Sequence, residues 1–243
     1  MKLQVQDLSF SYDQQWIIDH LSLHVDEGEF VSLIGPSGSG KSTLFYCIGG
    51  LLQPEHGEIQ LEGQRVNGQR GMIGYMPQQA SLLPWRTVEA NVRLGQELSK
   101  RKHSEEIAIL LERAGLANVA HKYPHELSGG MQQRVAFIRT LASAKEILCL
   151  DEPFGALDAL TRTEMQRWLY DILTTEKRTI LFITHSVEEA LLLSDRIYVL
   201  SHRPLTVKKE IKVPFDRTER FDKRGNHDFL SLRSEIEQLL VQE

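Results

Sequence analysis

Cysteine is scarce. The chain has two, Cys47 and Cys149, far apart and each inside an apolar segment. That spacing excludes a zinc ribbon and a CxxC redox pair, and it leaves both residues as small buried hydrophobes. Long apolar runs are missing too. The longest, at 146–150 and 179–183, are strand-sized against the roughly 18–20 residues of a membrane helix, so no segment is expected to cross a bilayer. No apolar stretch follows Lys2 at the N-terminus; a secretory signal is not expected, and the chain is assigned to the cytosol. Positive charge is not in excess either: the formal net charge is -5, whereas general affinity for nucleic acid favours a basic face. No nucleic-acid partner is expected, and any bound phosphate must be held locally. No internal repeat or low-complexity stretch is visible.

What is present is the composition of a globular chain with room for one large domain or two small lobes: 243 residues, 41% hydrophobic and 25% charged. Leu21, Leu23 and Val25 alternate with Ser22 and His24, which predicts a half-buried antiparallel strand. Residues 30–34 form a more continuous apolar run of the sort buried on both faces, followed by a glycine-rich turn and a helix expected over 43–51. From 87 to 140 the period becomes helical, with Ile107, Leu110, Leu111 and Ala114 spaced by three and four before Gly115. Strands return at 147–150, 180–184 and 197–200, separated by helical segments, which predicts a parallel sheet of βαβ units. The expected fold is α/β: a mostly parallel core over 1–86 and 141–201, with an N-terminal antiparallel β subdomain and an inserted helical lobe over 87–140. A charged tail over 202–243 completes the single domain, with one amphipathic helix at 229–240.

The segment Gly35-Pro36-Ser37-Gly38-Ser39-Gly40-Lys41-Ser42 fits GxxxxGK[ST] and has the required setting, a buried strand before it and a helix after it. Glycines let backbone N–H groups and the positive helix end converge on phosphate without Cβ clashes. Lys41 reaches the β- and γ-phosphates, and the Ser42 hydroxyl is available to Mg²⁺. The segment therefore predicts nucleoside triphosphate binding. A second signal is Asp151-Glu152 at the end of an apolar strand, where α/β proteins place ligands. On an extended chain these carboxylates would point to opposite sides. Asp151 then suits Mg²⁺, and Glu152 the orientation or deprotonation of an attacking water. Among the other titratable candidates, His121 and His125 have helical spacing, but Pro124 between them breaks the helix that a metal pair would need. Ser186-Val187-Glu188-Glu189 reads as a helix capping box.

Leu127-Ser128-Gly129-Gly130-Met131-Gln132 resembles the LSGGQ signature of ABC ATPases, physically a second anion site at the start of a helix. The resemblance covers essentially the whole chain in the family's order. It implies that Tyr12 stacks on adenine, that 35–43, including Thr43, contacts the nucleotide, and that Gln78 joins Mg²⁺ to the helical lobe. The implied Mg²⁺ set is thus Ser42, Gln78 and Asp151. Asp158 looks like the aspartate of the dimer-contact loop, and His185 like the histidine that meets the γ-phosphate. The family's mechanism is an expectation on the same footing. Two copies face head to tail, the phosphate loop of one and Ser128-Gly129-Gly130 of the other enclosing each ATP, and closure drives two membrane permease subunits.

More narrowly, residues 82–86 and 151–158 are similar to importer ATPases of the nitrate, sulfonate, taurine and thiamine-precursor group. That similarity implies a place at the cytoplasmic face of the membrane through the permeases, with a solute-binding protein as an indirect partner. Pro77 departs from the phenylalanine common before the glutamine, and the short tail leaves no room for the regulatory domain of sugar-importer ATPases. The competing expectation is a non-transport ABC ATPase acting on nucleic acid or the ribosome. Such proteins usually carry a long coiled coil, a zinc module or two fused ATPase units, and this chain has none of them. A phosphate-loop module without turnover would leave Glu152 and His185 unexplained. Leu82-Leu83-Pro84-Trp85 is an apolar cluster with two readings, internal packing or a docking surface for the permease with Trp85 as its anchor.

Overall fold

A computed structural model describes residues 1–98, 106–155, 157–176 and 178–241. In chain order it contains strands β1 (Leu3–Tyr12), β2 (Gln15–Val25) and β3 (Phe30–Ile34), helix α1 (Lys41–Ile48), and strands β4 (His56–Leu61), β5 (Gln64–Arg65) and β6 (Gly74–Met76). Helices α2 (Val88–Glu97), α3 (Ile107–Arg113) and α4 (Gly129–Ala142) follow, then strand β7 (Ile147–Asp151) and helix α5 (Ala159–Glu176). The chain continues through β8 (Thr179–Thr184), α6 (Val187–Leu193), β9 (Arg196–Leu200), β10 (Val207–Lys212) and α7 (His227–Val241). Among the described residues, no helix is long and apolar enough to cross a membrane. The chain divides into two compact units, Met1–Ile73 with Glu176–Glu243, and Gly74–Thr175.

In the first unit, β2-β1-β4-β5 form the expected antiparallel sheet. The alternation of β2 is as expected, with Leu21, Leu23 and Val25 buried. Asp13 and Gln14 both have positive φ, 48° and 65°, so β1 and β2 meet in a two-residue turn whose twist matches that of the strands. Strand β3 is buried along its whole length and pairs in parallel with β8 and β9, which is why its sequence is apolar apart from Ser32, whose buried hydroxyl is bonded to that of Ser194.

Helix α1 begins two residues before the expected Thr43 and stops at Ile48. Its end is a Schellman motif: Gly50 has φ +70°, its N–H donates to the Cys47 carbonyl, and the Leu51 N–H donates to that of Tyr46. Leu51 therefore lies beyond the helix. The tail holds an element that the sequence reading did not foresee, β10, antiparallel to β9. Only Ile211 of β10 is buried, and a register shift between Val207 and Lys209 hides the alternation. The tail helix α7 runs slightly beyond the expected 229–240 and buries Phe229 and Ile236, seven residues apart on one face.

The second unit pairs β6 with β7 in parallel and contains the expected helical stretch. Ile107, Leu110 and Leu111 are buried in α3, and Gly115 follows in the left-handed region with φ +68°.

Within the first unit, Asp195 fastens the tail to the strands. Its carboxylate accepts from the Phe30 N–H at 2.9 Å, from Arg217 Nε at 2.8 Å and from Arg220 Nη2 at 2.9 Å, while Arg217 Nη2 also donates to the Gly28 carbonyl at 2.8 Å. Burial opposes the charge on Asp195, but the two guanidiniums and the amide outweigh it and hold the carboxyl below its ordinary range. A depressed carboxyl stabilises the fold above its unfolded value, about 3.9, and loses that contribution as pH falls through the folded one. Asp195→Asn should cost roughly 2–3 kcal/mol in urea unfolding at pH 7. The gap from the unsubstituted chain should narrow below about pH 4; a gap independent of pH would show that the charge is not what matters.

Candidate functional site

The phosphate-loop segment leaves the buried end of β3 and turns into α1. Gly38 and Gly40 have φ of +73° and +120°, conformations that L side chains rarely adopt. At Gly40 space is short as well, since an added Cβ would lie 2.8 Å from Ile17 Cγ2. Ile17 belongs to β2, so the loop packs against the hairpin that carries Tyr12. Lys41 is buried and its Nζ donates to the carbonyls of Gly35 at 2.9 Å and Pro36 at 2.8 Å, folding the loop back on itself. Ser39 Oγ is buried with no hydrogen-bond partner, and no side chain caps the N–H groups of the first turn of α1. Orphan donors around a lysine suit a phosphate group, whose oxygens would satisfy them. Ser37 and Gly38 are exposed, while Ser42 and Thr43 are half-buried on α1.

Register brings His185 to the same edge. Ile34 of β3 is paired with Thr184 of β8, so Gly35 and His185 each lie one residue beyond a matched pair, at the carboxyl ends of parallel strands. His185 is exposed. Tyr12, at the end of β1, is 45% exposed and meets Phe10 edge-on with ring centroids 4.8 Å apart.

The second unit repeats this logic. Met76 of β6 is paired with Leu150 of β7, so Gln78 and Glu152 are both two residues past the match. Gln78 Nε2 donates to Glu152 Oε2 at 2.9 Å. Asp151 ends the buried strand and accepts from Tyr75 Oη at 3.3 Å. Glu152 corrects the strand-alternation argument: its φ is +44°, so the backbone is no longer extended there. The two carboxylates are set apart by a left-handed residue after the strand, closed by the Gly155 N–H donating to the Glu152 carbonyl at 3.1 Å.

Ser128 is the N-cap of α4, its Oγ accepting from the Met131 N–H at 3.3 Å. Ser128 and Gly129 are exposed, whereas Gly130 is packed so closely that an added Cβ would meet Thr161 Cγ2 at 2.4 Å. Thr161 in turn donates its hydroxyl to Asp158 Oδ2 at 2.6 Å, and Asp158 Oδ1 accepts the Leu160 and Thr161 N–H groups, each at 3.1 Å. The Thr161 hydroxyl, then these amides, hold the Asp158 carboxyl below its ordinary range. Asp158 thus begins α5, and Thr161 joins it to the signature glycine. Both cysteines are buried; desolvation pushes the Cys47 thiol up to about 12. Burial, and then the charge of Asp151, pushes Cys149 higher.

Of the expected capping box at Ser186, half is present. Ser186 Oγ accepts from the Glu189 N–H at 3.3 Å, but the Ser186 N–H donates to Thr184 Oγ1 at 3.0 Å, and the Thr184 hydroxyl donates to Glu189. Sequence reasoning missed Tyr75, Thr161 and Gln133. Each meets a group distant in the chain: Asp151 for Tyr75, Gly130 for Thr161 and the Gln78 carbonyl for Gln133.

A glycine loop between a buried parallel strand and a helix, together with two acids closing another buried strand, defines a nucleoside-triphosphate-binding protein of the P-loop class. The protein-family model described as ABC transporter matches residues 18–155, and the chain belongs to that family. It is 41% identical over 247 residues to a formylaminopyrimidine import ATP-binding protein of Halalkalibacterium halodurans, covering 99% of this chain and 97% of the relative. A nitrate import ATP-binding protein of Synechocystis is 42% identical over 232 residues, covering 92% and 87%. Among solved structures, a dimeric ABC cassette in a post-hydrolysis state bound to ADP and phosphate aligns with a TM-score of 0.74 at 29% identity, over 88% of this chain and all of that one.

The contrast between the two signature glycines is testable by denaturant unfolding. Gly129→Ala, with nothing within 4 Å of the added Cβ, should change stability by less than about 0.5 kcal/mol. Gly130→Ala should cost roughly 1–3 kcal/mol. Adding Thr161→Ser, which removes the clashing methyl and keeps the hydroxyl, should restore most of the loss; no restoration would place the clash elsewhere.

Proposed function

We propose that the chain is the ATP-hydrolysing subunit of an ABC importer, working as a pair and driving membrane permease subunits. The observation that carries this reading is the loop from Gln78 to Trp85. At one end its amide is bonded to Glu152, and near the other Trp85 is 72% exposed beside exposed Pro84. Leu82 and Leu83 are half-buried, whereas Trp85 lies on the outside, where a partner could reach it. A large aromatic on a loop fastened to a catalytic carboxylate is what coupling turnover to a partner requires. The import names of the relatives support the direction of transport, and the dimeric cassette supports the pairing.

In this reading the catalytic core is 1–86 with 141–201, the signature lobe is 87–140, and the tail is 202–243. The N–H groups of 38–43, with Lys41 and Ser39, hold the phosphates, and Tyr12 stacks on the base. Ser42, Gln78 and Asp151 would hold Mg²⁺, which when bound neutralises charge on the phosphate oxygens. Glu152 accepts the proton of the attacking water as its oxygen bonds to the γ-phosphorus and the bond to the β–γ bridging oxygen breaks, leaving ADP and phosphate. His185 contacts the γ-phosphate. Ser128, Gly129 and Gly130 serve the nucleotide of the second copy, and Asp158 shapes the dimer-contact loop by capping α5. The chain then sits at the cytoplasmic face of the membrane through its permeases, supplied by a solute-binding protein.

Glu152→Gln keeps the shape of the site and removes the base. It should still bind ATP, accumulate as an ATP-bound dimer in size-exclusion chromatography, and hydrolyse about 100-fold more slowly; normal turnover would move the catalytic role to another residue, His185 first. Trp85→Ala should leave the stability and ATP turnover of the isolated chain intact, because so exposed a side chain contributes little to the core. It should weaken assembly with the permease about tenfold or more in pull-down titrations, and assembly unchanged would place the docking surface elsewhere.

A further inference from the structure

Gln133 lies in the second turn of α4, past the signature glycines, and is 5% exposed. Its amide is only half used. Nε2 donates to the Gln78 carbonyl at 3.2 Å, while Oε1 is buried without a hydrogen-bond partner. An orphan buried acceptor costs about 1–3 kcal/mol, and an apolar side chain of the same shape would avoid that cost. Stability alone therefore does not account for a glutamine here; what it supplies is the hold on the Gln78 backbone.

That hold matters because of what precedes it. The pairing of β6 with β7 ends at Met76, and Pro77 has no N–H with which to extend a ladder. Past Met76, the bond from Gln133 is the first to fix the loop backbone. Farther along, Arg139 of the same helix donates to the carbonyls of Ala80 at 2.9 Å and Ser81 at 2.8 Å. Buried Asn91 of α2 then binds Leu83 through both its N–H and its carbonyl. Gln78 also bonds Glu152 through its side chain. Two hydrogen bonds thus connect the helix that begins at the signature with the carboxylate read as the base.

We propose that Gln133 is a positioning residue for ATP hydrolysis, orienting Glu152 through Gln78 and tying the base to the signature helix. The proposal rests on the assignment of Glu152 as base. It also gives Pro77 a consequence: with the ladder cut short, the aim of the Gln78 side chain depends on α4 rather than on the sheet.

The test uses the purified full chain with Gln133→Met, which keeps length and burial and removes both polar groups. Denaturant stability should be unchanged or raised, since the orphan acceptor is gone. Steady-state ATPase assays should give kcat lower by about ten- to a hundredfold with KM for ATP within about twofold, because the phosphate loop is untouched. Gln78→Ala combined with Gln133→Met should be no slower than Gln78→Ala alone, as expected when one residue acts through the other. The positioning role is overturned by a kcat near that of the unsubstituted chain, by multiplying effects in the double variant, or by activity lost in step with stability. Normal turnover in Glu152→Gln overturns both this role and the assignment of the base beneath it, whereas a slow Glu152→Gln beside an unimpaired Gln133→Met overturns the positioning role alone.

Discussion

Parallel pairing places the chemistry. In an antiparallel pair, adjacent strand ends have opposite polarity, so two C-terminal ends do not meet at one edge. Here β3 and β8 run together, and the match of Ile34 with Thr184 delivers the phosphate loop and His185 side by side. In the other unit the match of Met76 with Leu150 delivers Gln78 and Glu152 at equal distance from the last rung, and their side chains meet. The burial of β3, β7 and β8 along their lengths makes a one-residue slip expensive, because it would turn each side chain to the opposite face. Functional geometry at the strand ends is therefore inherited from apolar packing in the strand interiors.

The sequence was most informative where one residue type has one physical use. An apolar run ending in a glycine loop, lysine and serine has few interpretations, and β3, the loop and α1 are where that pattern put them, within a few residues at the helix ends. The same holds for Asp151 at the end of β7 and for the end of α3 just before Gly115. Less was legible where the determinant is a partner distant in the chain. Strand β10 shows a single inward residue, Ile211, between Glu210 and Lys212, so its period is invisible without β9 beside it. The left-handed conformation of Glu152 breaks the alternation rule at the residue where that rule was applied, because the turn to Gly155 governs there. Thr184 displaces Glu189 from the reciprocal half of the expected capping box by donating its own hydroxyl.

Polar groups in the helical unit carry more of its specificity than its apolar pattern suggests. Asn91, Gln133 and Arg139 all point at one loop, and together they hold the backbone of Gln78, Ala80, Ser81 and Leu83. Burial depresses the pKa of Arg139; an apolar residue there would avoid that desolvation but could not bind two carbonyls. The loop backbone is therefore held by side chains of α2 and α4, and its exposed tryptophan sits on a defined backbone.

The state of the two thiols has a practical corollary. Thiol-directed probes react with thiolate, and at neutral pH neither Cys47, pushed up to about 12, nor the still less acidic Cys149 presents any appreciable amount. Both are also sealed from solvent. In the native fold neither thiol is a ready target for such probes. A single cysteine introduced at an exposed position such as Leu98 or Leu160 becomes the sole site for a fluorophore or spin label, so distances within an assembled transporter are within reach without first rebuilding the core.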